Sequence, residues 1–133
     1  MIKKTILIVE DDMPTIDVYR MVFKQAKLGI DIIMFGGDAI ERIKKIKEGK
    51  AKKPDLVLLD LILPDMNGIQ ILEEMKKYEE TKNIPVFILT NYTNRELEKL
   101  GYNLKTERYL LKTDFTPKQI VGLVNERLGK NKE

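Results

Sequence analysis

Four residue types are missing outright: the 133 residues include no Cys, His, Trp or Ser. Disulfides, thiolate catalysis, Cys/His zinc sites and any Ser-His-Asp machinery are therefore excluded. Chemistry on this chain has to run on carboxylates, Lys, Thr, Tyr and the backbone. Long apolar runs are missing too. No stretch approaches the ~20 apolar residues of a membrane span. The run Ile6-Leu7-Ile8-Val9, preceded by Lys3 and Lys4, stops at Glu10-Asp11-Asp12, short of the ~7–15-residue core of an export signal. A cytoplasmic protein without a membrane partner is the expectation. Excess charge of one sign is also scarce. The 24 Lys and Arg against 21 Asp and Glu leave +3, too little to announce nucleic acid as a partner.

What is present suits one folded domain. A composition of 43% hydrophobic and 34% charged residues is that of a globule rather than a disordered chain. The length fits a single core. No linker, repeat or composition break interrupts residues 1–129, and 130–133 read as a short polar tail. Short apolar runs rich in Ile, Val and Leu occur at Thr5–Val9, Asp31–Phe35, Leu56–Leu59, Pro85–Leu89 and Arg108–Leu111. They mostly do not alternate, as expected of strands buried on both faces.

Between the runs the apolar spacing turns helical. Ile16, Tyr19, Val22, Phe23 and Ala26 form a stripe closed by Gly29, and Ala39, Ile40, Ile43 and Ile46 form one closed by Gly49. Ile69, Leu72 and Met75 follow Asn67, which is placed as a cap. Asn94 to Leu100 offers only Leu97 and Leu100, the weakest of the set. Thr116-Pro117 opens a last helix striped by Ile120, Val121, Val124 and Leu128. Strands alternating with helices predict an α/β fold of the doubly wound kind, a parallel sheet with helices on both faces. The lysines Lys44, Lys45, Lys47, Lys50, Lys52 and Lys53 read as a solvated face.

In such sheets ligands bind beyond the carboxyl ends of the strands. The first run ends in Glu10-Asp11-Asp12, the third in Asp60, the fourth in Thr90 and the fifth in Lys112. Three clustered carboxylates repel by several kcal/mol or hold a proton. One Mg²⁺ together with the Lys112 ammonium would offset them, and Mg²⁺ keeps positions open for water and phosphate oxygens. A flavin phosphate cradle is disfavoured, because the loop after the first strand offers carboxylates in place of amides and hydroxyls. Asp12, ahead of Pro14, reads as a helix cap, and Asp65 as part of the Pro64–Gly68 turn.

These residues resemble the response regulator receiver domain, the phosphoacceptor module of two-component signalling, over residues 3 to 128. Ile6-Leu7-Ile8-Val9-Glu10-Asp11-Asp12 resembles the family's first strand and acidic pocket. Leu56-Val57-Leu58-Leu59-Asp60-Leu61-Ile62-Leu63-Pro64-Asp65-Met66-Asn67-Gly68 resembles its phosphorylation segment, and Thr90, Tyr109 and Lys112 stand where it keeps a hydroxyl, a switch aromatic and a lysine. The resemblance implies a flavodoxin-like five-stranded sheet of order 2-1-3-4-5. It implies Asp60 as phosphoacceptor and Asp11 as direct Mg²⁺ ligand, with Glu10 acting through water and the Ile62 carbonyl as a further ligand. Lys112 and Thr90 would contact the phosphoryl group, and Tyr109 would turn inward as Thr90 moves.

The expected partners are a histidine kinase or phosphotransfer protein acting in trans, since the chain has no His of its own, and a downstream protein target. The output face would be helix 4, strand 5 and helix 5, a surface that could also pair two copies. A stand-alone receiver without output domain is expected: a phosphoacceptor with self-phosphorylation and slow self-dephosphorylation, not an enzyme that turns over substrate. In the family the side chains two residues beyond the Asp and two beyond the Thr flank the water's approach. Here they are Ile62 and Tyr92, neither able to act as a base, and Asn91 crowds the same opening, so slow loss of phosphate is expected. The chain departs from the family at Asn91, usually a small residue, and at Thr113, usually a proline that often follows a cis bond. Two other readings compete. An aspartyl-phosphate phosphatase of the haloacid dehalogenase kind needs an Asp where Ile62 stands, and a pseudo-receiver would bind partners without phosphorylation.

Overall fold

Three of the five apolar runs are buried along their whole length or nearly so, which only the interior of a sheet covered on both faces provides. They are β1 (Thr5–Val9), β3 (Leu56–Asp60) and β4 (Val86–Thr90). The half-exposed β2 (Gly29–Ile33) and β5 (Arg108–Leu111) take the edges. The computed structural model describes residues 3–99 and 108–129. Its sheet has the order β2-β1-β3-β4-β5 and every pairing is parallel, the doubly wound arrangement expected from the alternation of patterns. Leu100 and residues 130–133 lie outside the described residues.

Successive strand residues face opposite sides, and the core splits accordingly. Ile6, Ile8 and Leu58 pack with Tyr19 and Phe23 of α1 (Met13–Gln25) and with Ile120 and Val124 of α5 (Pro117–Leu128). Leu7, Val9 and Leu59 pack on the other side with Ala39 and Ile43 of α2 (Gly36–Lys47) and with Ile71 and Met75 of α3 (Gly68–Lys76). The remaining helix, α4 (Asn94–Lys99), has only six residues. The cap residues behave as their types dictate. Asp12 accepts from the Thr15 N–H, Asn67 accepts from the Ile69 N–H, and Thr116 and Gln119 form a reciprocal capping box. The six lysines between 44 and 53 are all exposed.

Two boundaries differ from expectation for one local reason. Gly29 does not close α1. The left-handed residue is Lys27, at φ 61°. The Leu28 N–H reaches the Phe23 carbonyl at 3.0 Å and the Lys27 N–H the Lys24 carbonyl at 2.9 Å, a Schellman closure without glycine. Gly29 is thereby released to start β2, two residues ahead of the expected Asp31. The third and fourth strands each run one residue further than the apolar pattern, to Asp60 and Thr90, because both polar residues are buried as if apolar.

Candidate functional site

Strand register sets the site. Val9 pairs with Leu59, so Glu10 stands level with Asp60. Asp60 pairs with Leu89, which puts Thr90 one step further, and Thr90 pairs with Leu111, which puts Lys112 one step beyond that. The polar residues thus climb the carboxyl edge of the sheet, where this fold class binds ligands. Lys112 opens a short 3-10 turn, Lys112–Asp114, that brings its side chain back over the strand ends. No peptide among the described residues is cis, the Lys112–Thr113 bond included.

The geometry is specific. The Lys112 ammonium lies 2.7 Å from Glu10 Oε1 and 3.1 Å from Asp60 Oδ2. Glu10 spends its other oxygen on the N–H groups of Asp11 and Asp12, at 3.1 and 3.2 Å. Asp60 Oδ1 accepts from the Ile62 N–H at 3.1 Å. Glu10, Asp11 and Asp60 each offer a carboxylate oxygen within 4.8 Å of the other two. Glu10 is 2% exposed and Asp60 7%, whereas Asp11 is half-exposed and no described residue donates to its carboxylate. Burial pushes the Asp60 carboxyl above the usual carboxylate range, and the neighbouring Glu10 charge adds to this against the opposing pull of Lys112. Burial alone would lower Lys112, but its bonds to Glu10 and Asp60 outweigh this and hold it above the ordinary lysine value.

This donor set is short of positive charge. Three carboxylates meet one ammonium, and two unit charges 4.8 Å apart repel by about 3–4 kcal/mol at an effective dielectric near 20. All the donors are hard oxygens, which suits a small divalent cation such as Mg²⁺ or Mn²⁺, and the chain has no Cys or His for a softer metal. The residues fit the cation.

The other expected residues surround this centre. Thr90 is fully buried, and its hydroxyl accepts from the Tyr92 N–H at 3.2 Å. The Tyr109 hydroxyl donates to the Tyr92 carbonyl. The start of the β4–α4 loop is therefore held by both of the residues expected to switch. Ile62 stands at the rim with 52% exposure. Tyr92 is half-buried and Asn91 exposed. The side chain of Leu97, expected as an anchor of α4, lies outside what the structure describes.

Two features carried no sequence signal. Gly68 packs the start of α3 onto the end of β3 so closely that a Cβ there would stand 2.6 Å from the Asp60 carbonyl oxygen. Asp65 does lie in the turn before α3, but its carboxylate also reaches across to α2, accepting from the Gly36 and Gly37 N–H groups at 2.8 and 2.9 Å. Both contacts join residues remote in the chain or depend on backbone approach, and neither periodicity nor a local motif reports them.

The comparisons with known proteins agree with this geometry. Residues 6–125 match the response regulator receiver domain family. The chain is 30% identical over 131 residues to the DNA-binding response regulator MtrA of Mycolicibacterium smegmatis, covering 98% of this chain and 53% of that protein. It is 30% identical over 126 residues to the phosphate regulon transcriptional regulatory protein PhoB of Pseudomonas aeruginosa, covering 92% and 50%. The chain thus spans about half the length of these curated relatives. The phosphorylated cyanobacterial phytochrome response regulator RcpA is similar in structure at TM-score 0.78 and 26% identity, over 94% of this chain and 93% of that one. The Mn²⁺-bound form of response regulator Rcp1 is similar at TM-score 0.77 and 30% identity, over 92% of each. Sequence, topology and acidic crest agree: this chain belongs to the response regulator receiver domain family.

Proposed function

We propose that the chain is a phosphoacceptor that takes a phosphoryl group on Asp60 from a histidine kinase or phosphotransfer protein in trans. The observation that carries this is the setting of Asp60: nearly buried at a strand end, one oxygen on a backbone N–H, the other on the Lys112 ammonium. Asp11, Asp60 and the Ile62 carbonyl would hold Mg²⁺, with Glu10 behind them. When bound, that cation supplies positive charge to the phosphoryl oxygens and to the carboxylates around them. In the transfer a phosphorus–oxygen bond forms to an Asp60 oxygen as the phosphorus–nitrogen bond of the donor imidazole breaks. Lys112 neutralises charge on the arriving group, and the Thr90 hydroxyl accommodates one of its oxygens. The protein's part is positioning and charge.

The exit of the signal follows from the same contacts. Thr90 and Tyr109 both bond to Tyr92, so a move of the Thr90 hydroxyl toward a phosphoryl group frees the Tyr92 N–H. It also shifts the carbonyl that Tyr109 holds. We assign output to the face of α4, β5 and α5 on this basis, through a downstream protein or a second copy. The similarity to a phosphorylated response regulator, RcpA, and to a Mn²⁺-bound one, Rcp1, supports phosphorylation at this pocket with a divalent cation. A dehalogenase-type phosphatase reading finds no acid at Ile62, whose aliphatic side chain cannot move a proton.

The test is Mg²⁺-dependent labelling with beryllofluoride or a small acyl phosphate. Stoichiometric labelling that Asp60→Asn abolishes is the expected result. No response at Asp60 would leave a pseudo-receiver, and steady turnover of the acyl phosphate would indicate an enzyme. In a metal titration Asp11→Asn should weaken binding strongly and Asp12→Asn little, because Asp12 caps α1. Equal losses would refute the ligand assignment.

A further inference from the structure

The segment between β3 and α3 is pinned at its base by its own ends and at its tip by the start of α2. At the base, Gly68 N–H donates to the Leu61 carbonyl at 2.8 Å, and Ile62 and Asn67 form an isolated antiparallel bridge. Leu63 is buried in the α2–α3 side of the core. At the tip, Asp65 accepts from the first two N–H groups of α2, one on each carboxylate oxygen. Met66 lies over Gly36 so tightly that a Cβ at Gly36 would stand 2.2 Å from the Met66 Cγ.

Helix α2 has no cap of its own. Phe35 stands at the N-cap position and its side chain makes no capping bond. The first two of the orphan N–H groups that every helix start presents are met instead by a carboxylate 28 and 29 residues further along the chain. That carboxylate is available only when the loop holds its present shape. The loop also carries Ile62, whose N–H bonds Asp60.

We infer that Asp65 is a positioning residue that fixes the cation-holding loop against the N-terminus of α2, so that pocket occupancy and the capping of α2 are coupled. The inference rests on the reading of Asp60 and the Ile62 carbonyl as cation holders. It adds a second route out of the site, toward α2 and away from the α4–β5–α5 face. Coupling of this kind is reciprocal. A cation that orders the loop tightens the α2 cap, and a partner that loosens the start of α2 weakens the cation.

The experiment is a Mg²⁺ titration of the whole chain followed by amide shifts and by hydrogen exchange at Gly36 and Gly37. In the unaltered protein Mg²⁺ should slow exchange of both amides. Asp65→Asn replaces an acceptor with a donor facing an N–H. It should weaken Mg²⁺ binding roughly tenfold, the low end of what outer partners of metal ligands contribute, and abolish the response at Gly36 and Gly37. Gly36→Ala disturbs the same contact from the α2 side by displacing Met66, and should weaken Mg²⁺ as well. Adding Met66→Ala makes room for the new methyl and should recover part of the loss.

A lower Tm in Asp65→Asn with Mg²⁺ affinity within twofold of the unaltered chain would overturn the inference, since Asp65 would then be structural only. So would Gly36 and Gly37 amides indifferent to saturating Mg²⁺, or a loss confined to Asp65→Asn and absent in Gly36→Ala. Failure of the underlying reading looks different: Asp11→Asn and the unaltered chain would bind Mg²⁺ equally.

Discussion

Glycine to alanine at two positions of this chain should act in opposite directions. At Gly68 a methyl would stand 2.6 Å from the Asp60 carbonyl oxygen and 2.9 Å from the Leu61 Cα, both backbone atoms with no rotamer to move. Ordinary contact starts near 3.4 Å, so α3 or the end of β3 has to give by about 3.4 − 2.6 = 0.8 Å. Overpacking of this kind costs about 1–3 kcal/mol. At roughly 4 °C per kcal/mol for a domain of this size, Gly68→Ala should lower Tm by about 4–12 °C. The displaced backbone is that of Asp60, the proposed phosphoacceptor, and misplacement approaching 1 Å can slow chemistry by about a hundredfold. Labelling of Asp60 by an acyl phosphate should therefore slow well beyond any loss of folded protein at the assay temperature. Gly122, inside α5, has nothing within 4 Å of its would-be Cβ. There the same substitution should stabilise by about 0.5–1 kcal/mol through helix propensity and leave labelling unchanged. Thermal unfolding of both variants, with labelling rates measured well below either Tm, decides the matter. A Gly68→Ala chain that melts within a degree of the unaltered one and labels at the same rate refutes the steric argument.

Three further outcomes are expected. Lys112→Met removes the counter-charge of two nearly buried carboxylates and should cost about 3 kcal/mol in urea unfolding. That is the low end for breaking a buried pair, because Lys112 itself keeps 20% exposure; a loss under about 1 kcal/mol would show that the pair is well hydrated. The N–H groups of Gly37 and Gly36 hold the Asp65 carboxyl below its ordinary value of 3.8. Its contribution to stability is therefore full above that value and lost as pH falls through the lower folded value, so the difference between Asp65→Asn and the unaltered chain should be largest at neutral pH and shrink as pH falls below 3.8. Replacing Ile62 with Asn and Tyr92 with Glu should speed loss of phosphate by about tenfold or more by giving the attacking water a polar guide, without weakening Mg²⁺ binding; an unaltered rate in the double variant would refute the water-access argument for slow loss.

The parts of the fold legible in the sequence are those whose pattern is local. β1, β3 and β4 announce themselves because burial on both faces leaves no room for polar residues except at the ends, and the ends are where Glu10, Asp60 and Thr90 stand. The centre of the site was legible for the same reason: parallel strands of matched length deliver their last residues to one edge. The start of β2 was misplaced because Lys27 takes a conformation usually left to glycine, so the glycine nearby marked the wrong stop. Asp65 read correctly as a turn residue, yet its bonds to α2 depend on how two loops approach, which spacing does not encode. The bond from Tyr109 to the Tyr92 carbonyl is hidden in the same way, since it joins a residue inside β5 to the loop after β4 through a side chain.

The Lys112–Glu10 contact joins residues 102 positions apart, and this separation sets the order in which the molecule can assemble. During synthesis the carboxylates of Glu10, Asp11 and Asp60 are all made before the ammonium that answers them. An emerging chain that has paired β1 with β3 carries a cluster of unanswered negative charge at that edge until β5 docks, so early pairing there is opposed and late pairing is rewarded. Docking of the last strand and arrival of the pocket's ammonium are thus a single event. A chain cut before β5 would lack both the edge strand and the charge that lets its neighbours settle.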